Sequence, residues 1–259
     1  MTFHQALITG ATSGIGEALA RFIADKGIPL ILIGRNTQKL AELKQEFSPK
    51  TSVMTEAADL GKRADRRRVV KLIHELHPDL IVNCAGIRFW GETTEIPLDD
   101  QLESIEINVS ALVELSIEGA KALMEHREKG VILNIASMAG DTPIPSFNTY
   151  SATKAFVISF SKGMDLELES YGIRVLVSQP GFVNTPMVRS REGGKPAALI
   201  MEPDVLAKHL WKQIVKRKRS DIPDWRYFPL HWFSKLAPDS LKKKVLSKMF
   251  KIKKTEEKR

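Results

Sequence analysis

Residues 9–16 of this chain, TGATSGIG, decide the fold that we expect. A short apolar run over residues 3–9 leads into this stretch, and an amphipathic stretch from residue 14 to about residue 26 follows it. A glycine-rich turn between a strand and a helix presents free N–H groups and the positive end of the helix dipole to a phosphate. The turn alone would also suit an ordinary loop, but the flanking strand and helix favour a nucleotide site.

Each glycine of the turn has a separate expected purpose. Gly10 permits the tight turn, Gly14 lets the backbone approach a pyrophosphate, and Gly16 lets the helix pack close to the sheet. The turn residues between them complete the predicted phosphate contact, namely Thr12, Ser13 and Ile15.

Further along the chain, apolar strands alternate with amphipathic helices. Strands are predicted at residues 29–34, 51–57, 80–83, 131–136, 174–178 and 220–223, and helices at residues 37–47, 62–76, 100–129, 150–171 and 203–217. The strands are nearly continuous runs of Val, Ile and Leu, which is typical of strands buried on both faces. This order predicts an α/β fold with one domain, a Rossmann-type doubly wound parallel sheet flanked by helices. Ligands of such sheets bind at the carboxyl ends of the strands.

The composition is that of an ordinary globular protein. Of 259 residues, 43% are hydrophobic and 27% are charged, which excludes a disordered or collagen-like chain. A single cysteine excludes a disulfide scaffold. No apolar run approaches the roughly 20 residues of a membrane helix, and a first strand near residue 3 leaves no room for a signal peptide. We therefore expect a cytoplasmic protein, with membrane association left open.

The positive charge is concentrated at the C-terminus. Residues 217–259 hold 14 Lys and Arg against 5 Asp and Glu, whereas residues 1–216 hold 25 against 26. We therefore divide the chain into a catalytic domain, residues 1–223, and a basic, aromatic-rich extension, residues 224–259. No folded basic module is present, so nucleic acid is not expected as a partner.

A tyrosine and a lysine four residues apart suggest acid–base chemistry. On a helix, Tyr150 and Lys154 would share one face. A phenol has a reference pKa of about 10, and a nearby ammonium lowers the pKa towards neutral pH. The spacing also occurs in many purely structural helices, so it does not decide the matter alone. The six histidines and one cysteine show no metal-ligand spacing, and no metal is expected.

Together these motifs resemble the short-chain dehydrogenase/reductase family. The turn has the spacing G-x-x-x-G-x-G, residues 83–86 are NCAG, residues 150–154 are YSATK, and residues 180–185 are PGFVNT. These motifs stand in the family's order, and the resemblance covers roughly residues 3–223. It implies hydride transfer between a nicotinamide and a carbonyl or alcohol carbon, with Tyr150 as proton donor and Ser137 beside the substrate oxygen. It also implies that Lys154 holds the nicotinamide ribose and that Asn108 completes a proton relay.

The resemblance further implies a set of cofactor contacts. Besides the glycine turn, Tyr150 and Lys154, these are Asp59, Leu60, Asn83, Ala85, Gly86, Pro180, Gly181, Val183 and Thr185. Cys84 stands where the family usually has a second Asn, and we interpret it as a small buried residue.

The second strand ends in Gly34-Arg35-Asn36, without the carboxylate that binds the ribose of NAD. A cation there can pair with a 2′-phosphate, so Arg35 favours NADP over NAD. A solvated surface arginine is the alternative, and the basic residue that the family often has before the second glycine of the turn is here Ser13.

Residues 187–201, MVRSREGGKPAALIM, match the family's substrate flap. Apolar side chains there, Met187, Leu199, Ile200 and Met201, suggest a hydrophobic substrate. Three cations, Arg189, Arg191 and Lys195, would suit an anionic handle or a solvated loop equally well.

The extension combines aromatic residues with an apolar, lysine-rich helical pattern. It suits either an anionic membrane interface or packing on the body or a sister subunit. The resemblance also implies a homo-oligomer built on the helices that begin near residues 100 and 150.

Three functions compete. We expect an NADP(H)-dependent oxidoreductase acting on a hydrophobic, lipid-like or acyl carbonyl or alcohol. The alternatives are a non-catalytic nucleotide-binding module recruited by its tail, and an isomerase or epimerase. Intact Ser137, Tyr150 and Lys154 argue against the non-catalytic module.

Overall fold

The computed structural model describes residues 2–189 and 199–249. Its sheet has seven parallel strands in the order β3-β2-β1-β4-β5-β6-β7. The strands are β1 Ala6–Thr9, β2 Leu30–Gly34, β3 Val53–Ala57, β4 Leu80–Asn83, β5 Val131–Ile135, β6 Arg174–Ser178 and β7 Ser220–Asp221. The chain crosses from β3 to the far side of β1 when it enters β4, so the loops after β1 and β4 diverge and leave a crevice between them.

Helices cover both faces of the sheet. They are α1 Gly14–Ala24, α2 Thr37–Phe47, α3 Arg63–Leu76, α4 Leu98–Ile105, α5 Leu112–Glu125, α6 Asn148–Leu168, α7 Pro186–Arg189, α8 Pro203–Lys216, α9 Phe228–Leu236 and α10 Asp239–Met249. Helices α1, α2 and α8 bury apolar residues against one face, and α3, α5 and α6 against the other. The predicted Rossmann-type fold is confirmed.

Consecutive residues of one strand supply two different cores. Leu7 of β1 lies in the core under α3 and α5, whereas Ile8 lies in the core under α1 and α8. Because both faces are covered, strand residues of both parities are apolar, as expected for a parallel sheet.

Strand β1 begins three residues later than predicted. The N–H groups of His4 and Gln5 donate to the Asp79 carboxylate, at 3.0 and 3.1 Å, instead of to a neighbouring strand. The side chain of Asp79 thus replaces the sheet ladder at this end of the strand.

The prediction of a single long helix at residues 100–129 is wrong in detail. The segment consists of α4, a π-helical stretch at Glu106–Ala111, and α5, which ends at Glu125. The wider π turn carries Asn108, a residue with low helix propensity, and such turns are frequent at functional sites.

The extension is folded over the residues that the structure describes. A 3₁₀ turn at Trp225–Tyr227 leads into α9 and then α10. The carboxylate of Asp224 accepts from the N–H of Arg226 at 3.0 Å and so caps the turn. Within the described residues, no helix is both long and apolar enough to cross a membrane.

Candidate active site

A cavity of about 460 Å³ opens at the carboxyl ends of β1, β2 and β4. This is the switch point where ligands of doubly wound sheets bind. The lining residues are Gly10, Thr12, Ser13, Ile33, Gly34, Arg35, Asn36, Ala58, Asp59, Leu60, Ala85, Gly86, Ile87 and Ile107. Eight of the predicted cofactor residues therefore line the same cavity.

The glycines of the turn are required by its geometry. Gly10 and Gly14 have φ angles of 65° and 54°, in the left-handed region that favours glycine. A Cβ on Gly16 would come within 2.3 Å of the Gly10 carbonyl oxygen, and one on Gly14 within 2.8 Å of Thr185 Cγ2. The turn therefore brings the N-terminus of α1 at Gly14 close against Thr185, whereas Ile15 packs against the apolar core.

Two polar residues follow β2, Arg35 and Asn36, and their side chains have different partners. Asn36 caps α2, its Oδ1 accepting from the N–H of Lys39 at 2.9 Å. The Arg35 side chain is 60% exposed at the cavity rim, with its guanidinium 3.9 Å from the Glu103 carboxylate. An anion at this rim would meet Arg35 without displacing a buried partner.

Asp59 follows β3 and lines the same cavity beside Leu60. Its Oδ1 accepts from the N–H of Gly61 at 3.1 Å, and its own N–H donates to Asp65 at 2.8 Å. These bonds hold the Asp59 carboxylate at the opening.

The loop after β4 is tied to β1 by a single hydroxyl. Thr9 Oγ1 accepts from the N–H groups of Cys84 and Ala85, both at 3.0 Å. Ala85 lies so close to Gly10 that a Cβ added to Gly10 would come within 2.9 Å of the Cα atom of Ala85. The two loops together form the narrow floor of the crevice.

Asn83 is not among the cavity-lining residues. Its Nδ2 donates to Asn134 at 2.9 Å and to Ser116 at 3.0 Å, inside the protein. Its side chain supports the floor from below, which differs from the direct cofactor contact implied by the resemblance.

The catalytic candidates converge beside this floor. Ser137 follows β5, and its Oγ accepts from the N–H of Ala139 at 3.1 Å. Tyr150 and Lys154 lie on one face of α6, with the ammonium 5.7 Å from the ring centroid. Lys154 Nζ donates to the Ile135 carbonyl at 2.9 Å and faces Gly86. The structure thus brings the three side chains together beside Gly86, one of the residues that line the cavity.

The pKa of Tyr150 is raised, because the phenol is buried. A hydrogen bond with Ser137 and the positive charge of Arg88 act in the opposite direction. From the sequence, we expected the ammonium of Lys154 to lower the pKa of Tyr150. In the structure this ammonium is held against the main chain of β5 instead.

Burial also lowers the pKa of Lys154, to about 8, and raises the pKa of Cys84 to about 12. Cys84, which is half-buried, is consequently a neutral thiol at physiological pH.

Asn108 is fully buried in the π-helical stretch. Its Oδ1 accepts from the N–H of Ile87 and its Nδ2 donates to the carbonyl of Ile87, both at 2.9 Å. It also donates to Ser104 and Thr153, at 3.2 Å each. The amide therefore fixes the loop that carries Gly86 beside Lys154.

The segment after β6 is joined to the loop that carries Ser137. The carbonyl of Pro180 accepts from the N–H of Met138 at 3.0 Å, which joins this segment to the Ser137 loop. Val183 is buried and pairs with Met201 in an isolated parallel bridge.

Tyr227 of the extension reaches the same segment, which the sequence did not indicate. Its hydroxyl accepts from the N–H of Phe182 at 2.9 Å and donates to the carbonyl of Leu199 at 3.0 Å. Its ring lies over Gly181, where a Cβ would come within 2.2 Å. Any larger residue at position 181 would displace Tyr227.

Arg88 and His231 were also missed. Arg88 donates to the carbonyl of Met187 and stacks 5.3 Å from the Phe147 ring centroid. His231 Nδ1 lies 2.6 Å from the Asp141 carboxylate, four residues after Ser137. No local sequence pattern identifies Arg88 or His231, because their contacts are with residues that are distant in sequence.

Part of the predicted flap lies outside the described residues, including Arg191 and Lys195. Within residues 2–189 and 199–249, no group of three or more His, Cys, Asp or Glu could hold a metal ion.

Two comparisons of sequence agree with this geometry. A sequence profile of the family described as short chain dehydrogenase matches residues 4–195. The chain is 33% identical over 242 residues to a very-long-chain 3-oxoacyl-CoA reductase from Pyrenophora tritici-repentis, covering 88% of this chain and 70% of the relative. It is 36% identical over 198 residues to sulfoacetaldehyde reductase 2 from Chromohalobacter salexigens, covering 74% and 77%.

The fold has close counterparts among solved structures. A short-chain dehydrogenase from Sphingobium yanoikuyae in complex with NADPH superposes with a TM-score of 0.79. The two are 28% identical, and the match covers 97% of each chain.

Proposed function

The chain belongs to the short-chain dehydrogenase family, and on that premise we propose that it is an NADP(H)-dependent reductase of a hydrophobic carbonyl compound. Oxidoreductase chemistry on an alcohol or carbonyl group follows from the family. The observation that carries the proposal is the convergence of Ser137, Tyr150 and Lys154 beside Gly86, which lines the cavity.

The crevice fits a nicotinamide nucleotide in shape and chemistry. Thr12 of the glycine turn and Ser13, the N-cap of α1, line the cavity, so the N-terminus of α1 faces the opening. We expect the turn to hold the pyrophosphate, Asp59 and Leu60 the adenine, and Ala85, Gly86 and residues 180–185 the nicotinamide half. When bound, this cofactor supplies the hydride for reduction or accepts it in the reverse direction.

The protein's own residues would handle the proton and the oxygen. Tyr150 donates its proton to the nascent alkoxide, while Ser137 orients the carbonyl oxygen and stabilises its developing charge. Lys154 places a positive charge beside the phenol of Tyr150 and would donate hydrogen bonds to the ribose hydroxyls of the nicotinamide half. Asn108 keeps the Gly86 loop against Lys154 through its bonds to Ile87.

Arg35 supports NADP rather than NAD. Within the described residues, the end of β2 offers the cavity a guanidinium and no carboxylate, and Asn36 is already engaged as a helix cap. A guanidinium at this place suits a 2′-phosphate.

Aromatic side chains support a hydrophobic substrate. Phe147 packs edge-on against Trp90 at 4.2 Å between ring centroids and lies 6.0 Å from Tyr150. One relative is named for 3-oxoacyl-CoA and another for sulfoacetaldehyde, and the aromatic wall favours the apolar class here.

The proposal also includes the oligomeric state of the enzyme and its location in the cell. An apolar groove between α5 and α6, lined by Ile117, Met124, Phe160 and Met164, supports a homo-oligomer. A single, half-buried free cysteine, Cys84, supports a cytoplasmic location.

The proposal also includes peripheral contact of the extension with a membrane.

The test is turnover of NADPH and NADH by the full chain with hydrophobic ketones, ketoacyl thioesters and aldehydes. We expect a preference for NADPH and loss of turnover in Tyr150→Phe. Nucleotide binding without turnover of any carbonyl would instead support the non-catalytic module.

A further inference from the structure

Helix α9 has two chemically different faces. Tyr227, His231 and Ser234, spaced at helical intervals just before and along α9, lie on its inner face, where Tyr227 and Ser234 are buried and His231 is partly buried. Three exposed large apolar residues lie on the outer face, Phe228, Trp232 and Leu236, and Trp225 is exposed in the turn before the helix; these four are here called the apolar stripe. Phe228, Trp232 and Leu236 are four residues apart and therefore lie on one side of the helix.

The inner face is held to the active site by polar contacts. His231 reaches Asp141, beside the Ser137 loop, and Tyr227 reaches the main chain of Phe182. Ser234 donates to the carbonyl of His231 at 2.7 Å, so it stays within the helix. The orientation of α9 is thereby fixed, and with it the direction of the apolar stripe.

The apolar stripe is unusually exposed for its size. Trp225 is 74% exposed and Leu236 is 75% exposed. Tryptophan combines a large apolar surface with one N–H donor, which suits the boundary between lipid and water. A contiguous exposed patch of such residues marks an interaction surface.

The charges around the stripe select its partner. Residues 228–249 hold five Lys and one Asp. Lys235 is exposed on α9, and Lys243 is exposed on α10. An apolar stripe on an extension with exposed lysines complements the anionic headgroups and the upper acyl region of a bilayer.

We propose that α9 lies in the headgroup region of an anionic membrane, with the apolar stripe towards the lipid. One helix, about 10 Å across, separates the stripe from the Ser137 loop. The crevice would then open beside the bilayer and take an apolar carbonyl compound from it, a step that rests on the proposed function.

The test is sedimentation of the full chain with phosphatidylcholine vesicles, with and without phosphatidylserine. We expect binding only to the anionic vesicles, falling with added salt as the charges are screened. The variant Trp225→Ser/Leu236→Ser should bind at least about tenfold more weakly, because most of the inserted apolar area is lost. Lys235→Gln and Lys243→Gln should each weaken binding about fivefold.

The matched control is Leu98→Ser/Tyr171→Ser, which also removes two exposed apolar side chains, 68% and 58% exposed, but away from the extension. It should bind anionic vesicles like the wild type. Equal binding to both kinds of vesicle, or equal weakening by the control, would overturn the proposal.

A second copy of the chain is the competing occupant of the stripe. If Trp225→Ser/Leu236→Ser lowered the oligomeric mass and left vesicle binding unchanged, the stripe would be a subunit interface and the proposal would fail. Turnover of a water-soluble ketone without vesicles reports on the reductase separately. Vesicle binding without any turnover would refute the proposed function and leave the docking surface standing.

Discussion

The hydroxyl oxygen of Tyr227 lies 2.9 Å from the main-chain nitrogen of Phe182. A residue of the C-terminal extension is thus bonded to the segment that we expect to hold the nicotinamide. The extension is therefore connected to the candidate active site, and this connection does not depend on what its outer surface binds.

Tyr227→Phe should weaken the binding of NADPH more than the binding of its adenosine half. The variant keeps the ring over Gly181 but loses the hydrogen bonds to Phe182 and Leu199. Two such bonds are worth about 1–3 kcal/mol, and we expect roughly a tenfold rise in the Kd of NADPH.

Calorimetry with NADPH and with 2′,5′-ADP measures this difference. Tyr171→Phe, which alters an exposed tyrosine at the end of α6, is the control and should change neither affinity. Equal weakening of both ligands by Tyr227→Phe would indicate a general loss of structure instead.

Lys154→Met should abolish turnover and stabilise the protein without cofactor. Burial lowers the pKa of Lys154 to about 8, against about 10.4 in an unfolded chain. Below pH 8 both states are protonated, and the buried charge costs about 3 kcal/mol, partly offset by its bond to Ile135. We expect a net gain of about 1–2 kcal/mol at pH 7, measured by urea unfolding.

The sign of the pH dependence follows from the same shift. Between about pH 8 and pH 10 the folded state binds fewer protons than the unfolded state, so this residue makes stability rise with pH. The gain from Lys154→Met should accordingly shrink across that range. A variant that is less stable than the wild type at pH 7 would contradict the account.

Arg88→Met should move alcohol oxidation to higher pH. Oxidation needs the phenolate of Tyr150, whose pKa burial raises and the charge of Arg88 lowers. Without that charge the pKa of Tyr150 rises further, so the acid limb of the kcat/KM profile, where activity increases with pH, shifts to higher pH. Arg88→Lys retains the charge and should shift the limb less, and an unshifted limb in Arg88→Met would remove Arg88 from the proton chemistry.

Arg35→Ala should reduce the preference for NADPH over NADH. A charge-assisted contact with a 2′-phosphate is worth about 1.5–3 kcal/mol, so we expect a 10- to 100-fold loss in kcat/KM for NADPH. NADH should be little affected, because it lacks that phosphate. Arg63→Ala, on α3, is the control, and an unchanged ratio in Arg35→Ala would leave the choice of cofactor to other residues.

Most of the fold followed from the local pattern of the chain. Helix α2 and strand β4 have the predicted bounds, because their apolar positions and flanking turns are unambiguous. The π-helical stretch around Asn108 was not predictable, since it depends on the main chain of Ile87, 21 residues away.

The site was predicted to a similar extent. The glycine turn, Ser137, Tyr150 and Lys154 are local motifs. The structure places Gly10 and Gly86 around one cavity and the three catalytic candidates beside Gly86. Tyr227 stands in an aromatic cluster that the sequence linked to a membrane or to packing. Its contact with Phe182 exists only once the extension folds back over the body.

The central claim is hydride transfer assisted by Tyr150, and transfer of deuterium tests it most directly. NADPH deuterated at C4 of the nicotinamide is supplied with a hydrophobic ketone, and the product alcohol is analysed by mass spectrometry. We predict deuterium on the carbinol carbon with the wild type and at least about a hundredfold slower transfer with Tyr150→Phe. Product without deuterium from the wild type, or equal rates in the two proteins, would contradict the account.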